Sequence, residues 1–453
     1  MTTAAVTARS AAGALRNDIR RLLTCLAAGL LIAVMTGADG NGKHPFIGLK
    51  NSLFDPRIVG YLVFGVVLWL LLNVWPTLRH QVVDRTESAR TSSQAALRAH
   101  PSARAILLAL VLIVAIAYPR TLSGRWLTVL TTQIGIFILL TIGLNIVVGF
   151  AGLLDLGYIA FYAIGAYTVA YFTHGPPRAG KILYPLPVHS PFALNLFFVI
   201  PVAVLACVVA GVILGGPTLR LRGDYLAIVT LGFGEIVHIV AVNSDPITNG
   251  PRGAFGIPSP SLFGHEFKTD LSYWYLELVL IVLVVFLVRR LENSRVGRAW
   301  TAIREDEVAA AASGIATVKF KLLAFALGAS TSGFAGVLYA GKVNFISPDN
   351  FILLNSILVL VYVIFGGMGS LPGAVVGAAL LVWLPEYLKD QHFGFSIPPA
   401  DRFIYFGALL VVMMIFRPQG VIPSKRRARE IRMAESGLGG ADGTGVAEGT
   451  LQQ

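Results

Sequence analysis

Apolar residues run through this chain in long unbroken stretches, near 22–36, 58–75, 105–118, 126–148, 153–172, 192–214, 226–242, 273–288, 320–341, 352–366, 373–388 and 402–416. A helix needs about 20 mostly apolar residues to cross the hydrocarbon of a bilayer. The other lipid-compatible backbone, a closed barrel, requires strands that alternate apolar and polar positions, and these runs do not alternate. The pattern predicts an all-α polytopic membrane protein with about 10–12 transmembrane helices. Several stretches of about 15 residues are short enough to be half-helices or re-entrant segments.

One long polar segment interrupts the second half of the chain. Residues Arg295–Lys321, RVGRAWTAIREDEVAAAASGIATVKFK, carry Arg295, Arg298, Arg304, Glu305, Asp306, Glu307 and Lys319 between two apolar runs. A charge at the centre of a membrane helix costs about 2.5–3.5 kcal/mol, so this segment lies at the surface. Its Ala309–Ala312 run favours a short helix with a small-residue face that Gly314 can end.

Charge then orients the spans. Of 453 residues 55% are hydrophobic and 13% charged, with a net charge of +12. The basic clusters flank spans: Arg79, Arg85, Arg90, Arg98 and Arg104 in 77–104, Arg220 and Arg222 in 215–223, the segment at 295–321, and a tail opening Lys425-Arg426-Arg427. With the N-terminus inside, all of these fall on one side, as the positive-inside rule requires. Both termini are therefore expected in the cytoplasm, and the positive charge reports topology rather than a nucleic-acid partner. Arg16, Arg20 and Arg21 before Leu22–Met35 also fit a signal peptide; a retained first helix is favoured because the later topology works with it. Cys25 and Cys207 both sit in apolar runs, which gives no disulfide framework. The loop Ala241–Ser272, on the outer side, is rich in Gly and Pro and predicts a succession of turns, either a docking or gating surface or a plain connector. The tail Ser436–Gln453 lacks apolar periodicity and is expected to be disordered.

Candidate chemistry is sparse. Ala324, Gly328, Ser332, Gly336 and Ala340 recur every four residues, a small-residue stripe that lets another helix approach closely in lipid. Two spans are interrupted by glycine, at Gly149–Gly165 and Gly366–Gly377. Such breaks either build transporter substrate sites from freed backbone groups or are tight turns between antiparallel helices. Asp155, with Tyr158 and Phe161 at helical spacing, is a candidate for the transport path; its place near the cytoplasmic end also allows simple hydration. Glu235 lies about ten residues into a span with His238 one turn on, and intramembrane ionisable groups commonly mark function; pairing of Glu235 with Asn145 is the structural alternative. Gly175–Lys181 matches the start of a phosphate-binding loop, but Ile182 replaces the Ser or Thr that holds magnesium, and Pro176 and Pro177 lack the needed N–H groups. No catalytic constellation, metal-ligand cluster or cofactor motif stands out.

Five blocks carry a resemblance: Gly149–Tyr167 (GFAGLLDLGYIAFYAIGAY), Leu219–Ile236 (LRLRGDYLAIVTLGFGEI), Gly297–Gly314 (GRAWTAIREDEVAAAASG), Phe365–Gly373 (FGGMGSLPG) and Arg417–Pro423 (RPQGVIP). In this order, from about residue 105 to 423, they resemble the LivM-type permease subunits of branched-chain amino-acid ABC importers. The resemblance implies a subunit of the bacterial cytoplasmic (inner) membrane that pairs with a second related permease, two cytoplasmic ATPases and an external solute-binding protein. It implies a permease core at 105–423, an N-terminal extension with two helices at 1–104, and a tail at 424–453. It makes Arg295–Lys321 the coupling loop that docks on an ATPase, with Gly297, Arg298, Arg304, Glu305, Asp306, Glu307, Ala310 and Gly314 as its candidate residues. Asp155 and the TNGPRGAFG stretch around Arg252 and Ala254 depart from the expected pattern, and similar permeases serve urea, amides and other amino acids. The alternatives from other classes are an ion-coupled secondary transporter with Glu235 and His238 as a proton relay, and a membrane-embedded enzyme.

Overall fold

The computed structural model describes residues 101–173, 194–218, 224–262, 264–388, 407, 410, 411, 413 and 420–424. The chain divides into two compact units, Met1–Ile113 and Val114–Gln453. Nine of the apolar runs fall within the described residues, and each coincides with a helix. The runs at 22–36, 58–75 and nearly all of 402–416 lie outside the described residues, as do the loop at 175–182 and the tail from Lys425.

The helices are α1 (Pro101–Ala117), α2 (Gly124–Phe150), α3 (Ile159–Thr173), α4 (Leu196–Thr218), α5 (Asp224–Asn243), α6 (Asp270–Glu292), α7 (Arg295–Glu305), α8 (Glu307–Ala312), α9 (Thr317–Val343), α10 (Leu353–Gly366) and α11 (Leu371–Leu388). Six helical segments among the described residues are long and apolar enough to cross a membrane, and α3 and α11 are shorter apolar helices. Large side chains on α4, α5 and α6, among them Phe198, Ile213, Ile228, Ile236, Val279 and Phe286, face outward. An apolar outer surface on an apolar helix is what a lipid-facing span requires. The chain is thus an all-α polytopic membrane protein; the only strands among the described residues are two antiparallel pairs of two residues each, Ala254–Phe255 with Phe345–Ile346 and Ser261–Leu262 with His265–Glu266.

Helix α2 is not regular. Two turns are π-helical, Leu130–Ile134 and Asn145–Phe150, a local widening that frees backbone groups and often sits at functional places. After Phe150 the chain is non-helical until Ile159, so the run at 153–172 enters its helix later than its hydropathy suggests.

The core forms where α9 crosses α2, α3 and α4. All five residues of the small stripe, Ala324, Gly328, Ser332, Gly336 and Ala340, are buried. Gly333, one position off that stripe, makes an equally close approach: a Cβ on Gly165 of α3 would lie 2.2 Å from the Gly333 carbonyl oxygen, and a Cβ on Gly336 would lie 2.3 Å from that of Tyr162. A Cβ on Gly333 would lie 2.3 Å from the Cys207 sulfur of α4. Small residues bring helices into contact where no hydrophobic force drives association.

The loop Ala241–Ser272 and the turn after α9 are ordered by asparagines. Asn249 and Asn344 adopt left-handed backbone with φ of 63° and 61°. The Asn249 side chain donates to the Gly253 carbonyl at 2.7 Å and that of Asn344 to the Ile257 carbonyl at 2.7 Å. The expected succession of turns is present, interrupted by short helical turns at Asp245–Thr248 and Gly250–Arg252.

Replacing Gly165 with alanine should lower the stability of the purified protein by about 1–3 kcal/mol, because overpacking forces the backbones apart. The same change at Gly216, where nothing lies within 4 Å, should be neutral or slightly stabilising. Thermal unfolding in detergent measures both.

Candidate functional site

The two glycine-rich breaks come together in space, and the polar segment closes on them. The first runs from Gly149 through Tyr158 and the second is the turn Gly367–Ser370 between α10 and α11. A buried helix break leaves N–H and C=O groups that must find partners inside the protein, and nearly every contact here meets that need. The Asn145 side-chain oxygen accepts from the Gly369 N–H at 2.9 Å, tying α2 to the second break. The Arg304 guanidinium of α7 donates to the Gly149 carbonyl. Gly369 has φ +75°, and a Cβ there would lie 3.0 Å from both the Arg304 Nη1 and the Gly149 carbonyl oxygen. Only glycine suits that geometry and that space.

The rest of the first break is held by three further helices. Leu156 N–H donates to the Thr230 hydroxyl of α5 at 3.0 Å, and Ile159 N–H, at the start of α3, donates to the Ser356 hydroxyl of α10 at 3.0 Å. Ser332 of α9 donates to the Tyr158 carbonyl at 3.3 Å. The second break is closed by the segment at 420–424: Val421 and Ile422 N–H groups donate to the Phe365 and Gly366 carbonyls at 2.9 and 3.0 Å.

The polar segment is two helices rather than one. Ser294 caps α7 by accepting from Val296 and Gly297 N–H. Asp306, extended at φ −152°, breaks the helix and caps α8, accepting from Val308 and Ala309 N–H at 2.8 and 3.0 Å. Gly314, at φ +81°, follows the end of α8 as a left-handed C-terminal stop. The fully buried Trp300 donates its indole N–H to the Phe320 carbonyl at 2.6 Å, fixing α7 to the start of α9. Glu307 pairs with the buried Lys321 at 2.6 Å.

These contacts divide the eight candidate coupling residues. Gly297 and Ala310 are buried, and Arg304 and Glu307 are engaged within the chain. Arg298, Glu305, Asp306 and Gly314 are exposed, and beside them α8 presents Val308, Ala309, Ala311 and Ala312. The outward surface combines the small apolar face of α8 with the charges of Arg298, Glu305 and Asp306, whereas Arg304 and Glu307, also among the candidates, turn inward. The residues that turn inward do so because a buried carbonyl and a buried ammonium need partners.

The path candidates also separate. Asp155 is fully buried rather than hydrated; one carboxylate oxygen accepts from Gly157 N–H at 3.0 Å and the other has no partner. Tyr158 and Phe161 do meet edge to face, at 6.4 Å between centroids, but both are fully buried, and Tyr158 donates to the Gly328 carbonyl at 3.1 Å. They hold α3 against α9. Glu235 and His238 lie on a partly exposed face of α5, with neither a hydrogen bond nor an ion pair to any described residue. Asn145 engages Gly369, not Glu235, because the break offers a buried N–H.

Sequence reading missed Glu277. It is fully buried in α6, its carboxylate packed against Gly135 where a Cβ would come within 2.3 Å, and neither oxygen has a hydrogen-bond partner. An acidic residue inside the run 273–288 was the available signal. Ser356, Thr230 and Lys321 were also missed; lone hydroxyls in spans give no signal without their partners. No group of three or more metal-ligating side chains occurs among the described residues.

A membrane protein whose broken helices converge beneath a polar surface segment is a permease in architecture. The chain belongs to the family described as branched-chain amino acid transport system / permease component, matched over residues 127–416. It is 40% identical over 354 residues to the high-affinity branched-chain amino acid transport system permease protein LivM of Salmonella typhimurium, covering 73% of this chain and 78% of that one. It is 41% identical over 344 residues to LivM of Escherichia coli, covering 71% and 75%. The high-affinity branched-chain amino acid transport system permease protein LivH of Escherichia coli is 29% identical over 198 residues, covering 41% of this chain and 61% of that one. No solved structure matches.

Replacing Asn145 with leucine should leave the Gly369 N–H buried without a partner and cost about 1–3 kcal/mol. Gly369→Ala should be at least as damaging because it adds backbone strain. Thermal unfolding reads stability, and substrate uptake by the assembled transporter should fall with it.

Proposed function

We propose that this chain is one of two related permease subunits of an ATP-driven importer that carries branched-chain or related hydrophobic amino acids across the bacterial inner membrane. Two cytoplasmic ATPases hydrolyse ATP, and an external binding protein delivers the solute. Residues 105–423 form the permease core, 1–104 an extension and 424–453 a tail, with both termini in the cytoplasm. Relatives at about 40% identity over most of the chain support the transport class.

The observation that carries the mechanism is the Arg304 contact with Gly149. An ATPase seated on the exposed face of α7 and α8 pushes on a rigid unit, because Trp300 and the Glu307–Lys321 pair join these short helices to α9. Arg304 and Asn145 transmit that movement to both helix breaks. Packed interfaces switch between discrete arrangements rather than deform continuously, so a shift of α7 reorganises the breaks together and alternates access.

Purification of the tagged chain from its native membrane should bring down two ATPases carrying nucleotide-binding motifs; active uptake by the chain alone would contradict the reading. Ala312→Arg together with Val308→Asp, on the exposed face, should reduce ATPase retention about tenfold or more while leaving the purified chain as stable as the wild type. Arg304→Glu should instead lower stability, since it removes the donor to Gly149 and buries a carboxylate beside it.

A further inference from the structure

At the far end of the bundle from α7 and α8 lies a cavity of about 340 Å³. It is bounded by α2, α3, α9, α10, α11 and the turn at Pro348–Phe351. Thr317, at the start of α9, and Tyr339, in the cavity wall, are 22 positions apart, which places the wall about 33 Å along the helix. The volume lies within the range of about 300–1,000 Å³ typical of small-molecule sites.

The lining has two chemistries. Phe137, Ile159, Leu358, Leu381 and Val382 supply an apolar wall. Gln133, Asn350, Asn355, Tyr162, Tyr339 and the acidic Glu386 bring polar groups to the same space. Several of those groups have hydrogen-bonding capacity left. The Asn350 side-chain oxygen accepts from Ser347 N–H, and the Asn355 amide nitrogen donates to the Asn350 carbonyl. The Asn350 amide nitrogen and the Asn355 side-chain oxygen therefore remain available. Gln133 makes no side-chain hydrogen bond to any described residue, and neither does the hydroxyl of Tyr162, a residue only 6% exposed. A nearly buried hydroxyl facing a cavity without a partner is costly unless something in the cavity meets it.

The backbone adds two more features. Gln133 sits in the π-helical turn Leu130–Ile134 of α2. Pro385 lies inside α11 and has no N–H, so the Leu381 carbonyl one turn earlier lacks its helical partner. Both residues line the cavity. Irregular helices whose freed groups face a cavity are the way membrane transporters build substrate sites.

We propose that this cavity is the membrane-embedded binding site for the transported solute, and that it takes a small zwitterionic amino acid with an aliphatic side chain. The apolar wall receives the side chain, while Gln133, Asn350, Asn355, Tyr162 and the Leu381 carbonyl receive the ammonium and carboxylate. A polar solute such as urea leaves the apolar wall unmatched. Apart from the acidic Glu386, the polar lining consists of neutral donors and acceptors, which hold a zwitterion without trapping it, as a passage requires. The proposal rests on the transport reading above and relocates the path from Tyr158 and Phe161, which the core occupies, to the Tyr162–Tyr339 side of α3.

The test uses the complete importer with its ATPases and binding protein in proteoliposomes, measuring uptake of leucine, valine and phenylalanine together with ATP hydrolysis. Leu358→Trp fills the cavity and should cut leucine uptake about tenfold or more with the complex still assembled. Gln133→Leu and Tyr162→Phe keep the shape and should each reduce leucine carried per ATP hydrolysed by about two- to tenfold, the loss of one hydrogen bond. Tyr339→Ala enlarges the cavity and should raise phenylalanine uptake relative to valine with the same binding protein, a ratio that general destabilisation does not move. Unchanged uptake and ratios in all four variants would overturn the cavity while leaving the importer intact. A wild-type complex that carries no aliphatic amino acid would overturn the transport reading itself.

Discussion

The interior of this protein depends on finding hydrogen-bond partners for backbone groups released where membrane helices break. In hydrocarbon no water is at hand to meet them. The chain breaks α2 after Phe150 and separates α10 from α11 at Gly367–Ser370, and it then spends its few buried polar side chains on the consequences. Asn145, Thr230, Ser332, Ser356 and Arg304 come from five different helices, and each bonds a backbone group of one of these breaks. The breaks are consequently specified by the whole bundle, not by the local sequence, and cannot move without moving their partners.

Close packing sets what those partners can reach. Helix α9 is 27 residues long, about 40 Å, and its glycines let α3 approach to backbone contact. Ser332 reaches the Tyr158 carbonyl only because Gly336 and Gly333 have already brought the two helices together. Packing and polar satisfaction are one arrangement here: a side chain on Gly165 would push α3 away from the hydroxyl that steadies the break preceding it.

Much of this architecture was legible in the sequence, and the boundary of legibility has a physical reason. Hydropathy located every long apolar helix among the described residues, because burial in lipid imposes a long apolar run whatever the tertiary fold. The four-residue stripe on α9 and the glycine breaks were readable for a similar reason, since they are local patterns. What a residue touches across the bundle was not. Arg304 and Glu307 read as exposed charges like Glu305 and Asp306 but turn inward, Arg304 to the Gly149 carbonyl 155 positions earlier and Glu307 to Lys321 on the next helix, while Val308 and Ala312 face out. Asp155 read as hydrated and is buried. Tyr158 and Phe161 read as lining a path and fill the core, because helical spacing gives a shared face without saying which neighbour that face meets.

The arrangement of α9 explains why one helix can link two ends of the membrane. Its first turn is fixed to α7 through Trp300 and to α8 through Lys321, its middle holds the first break through Ser332, and its last turns contribute Tyr339 to a cavity and Lys342 to an ion pair with Asp270 of α6 at 2.5 Å. A rigid rod held at three levels transmits displacement with little loss, whereas a chain of exposed side chains would dissipate it. The coupling between the ends is reciprocal by thermodynamic necessity. If a solute in the cavity favours one position of α9, then the arrangement of α7 and α8 that accompanies this position is favoured to the same extent. Occupancy at one end is thereby reported at the other through packing that the glycines of α9 make possible.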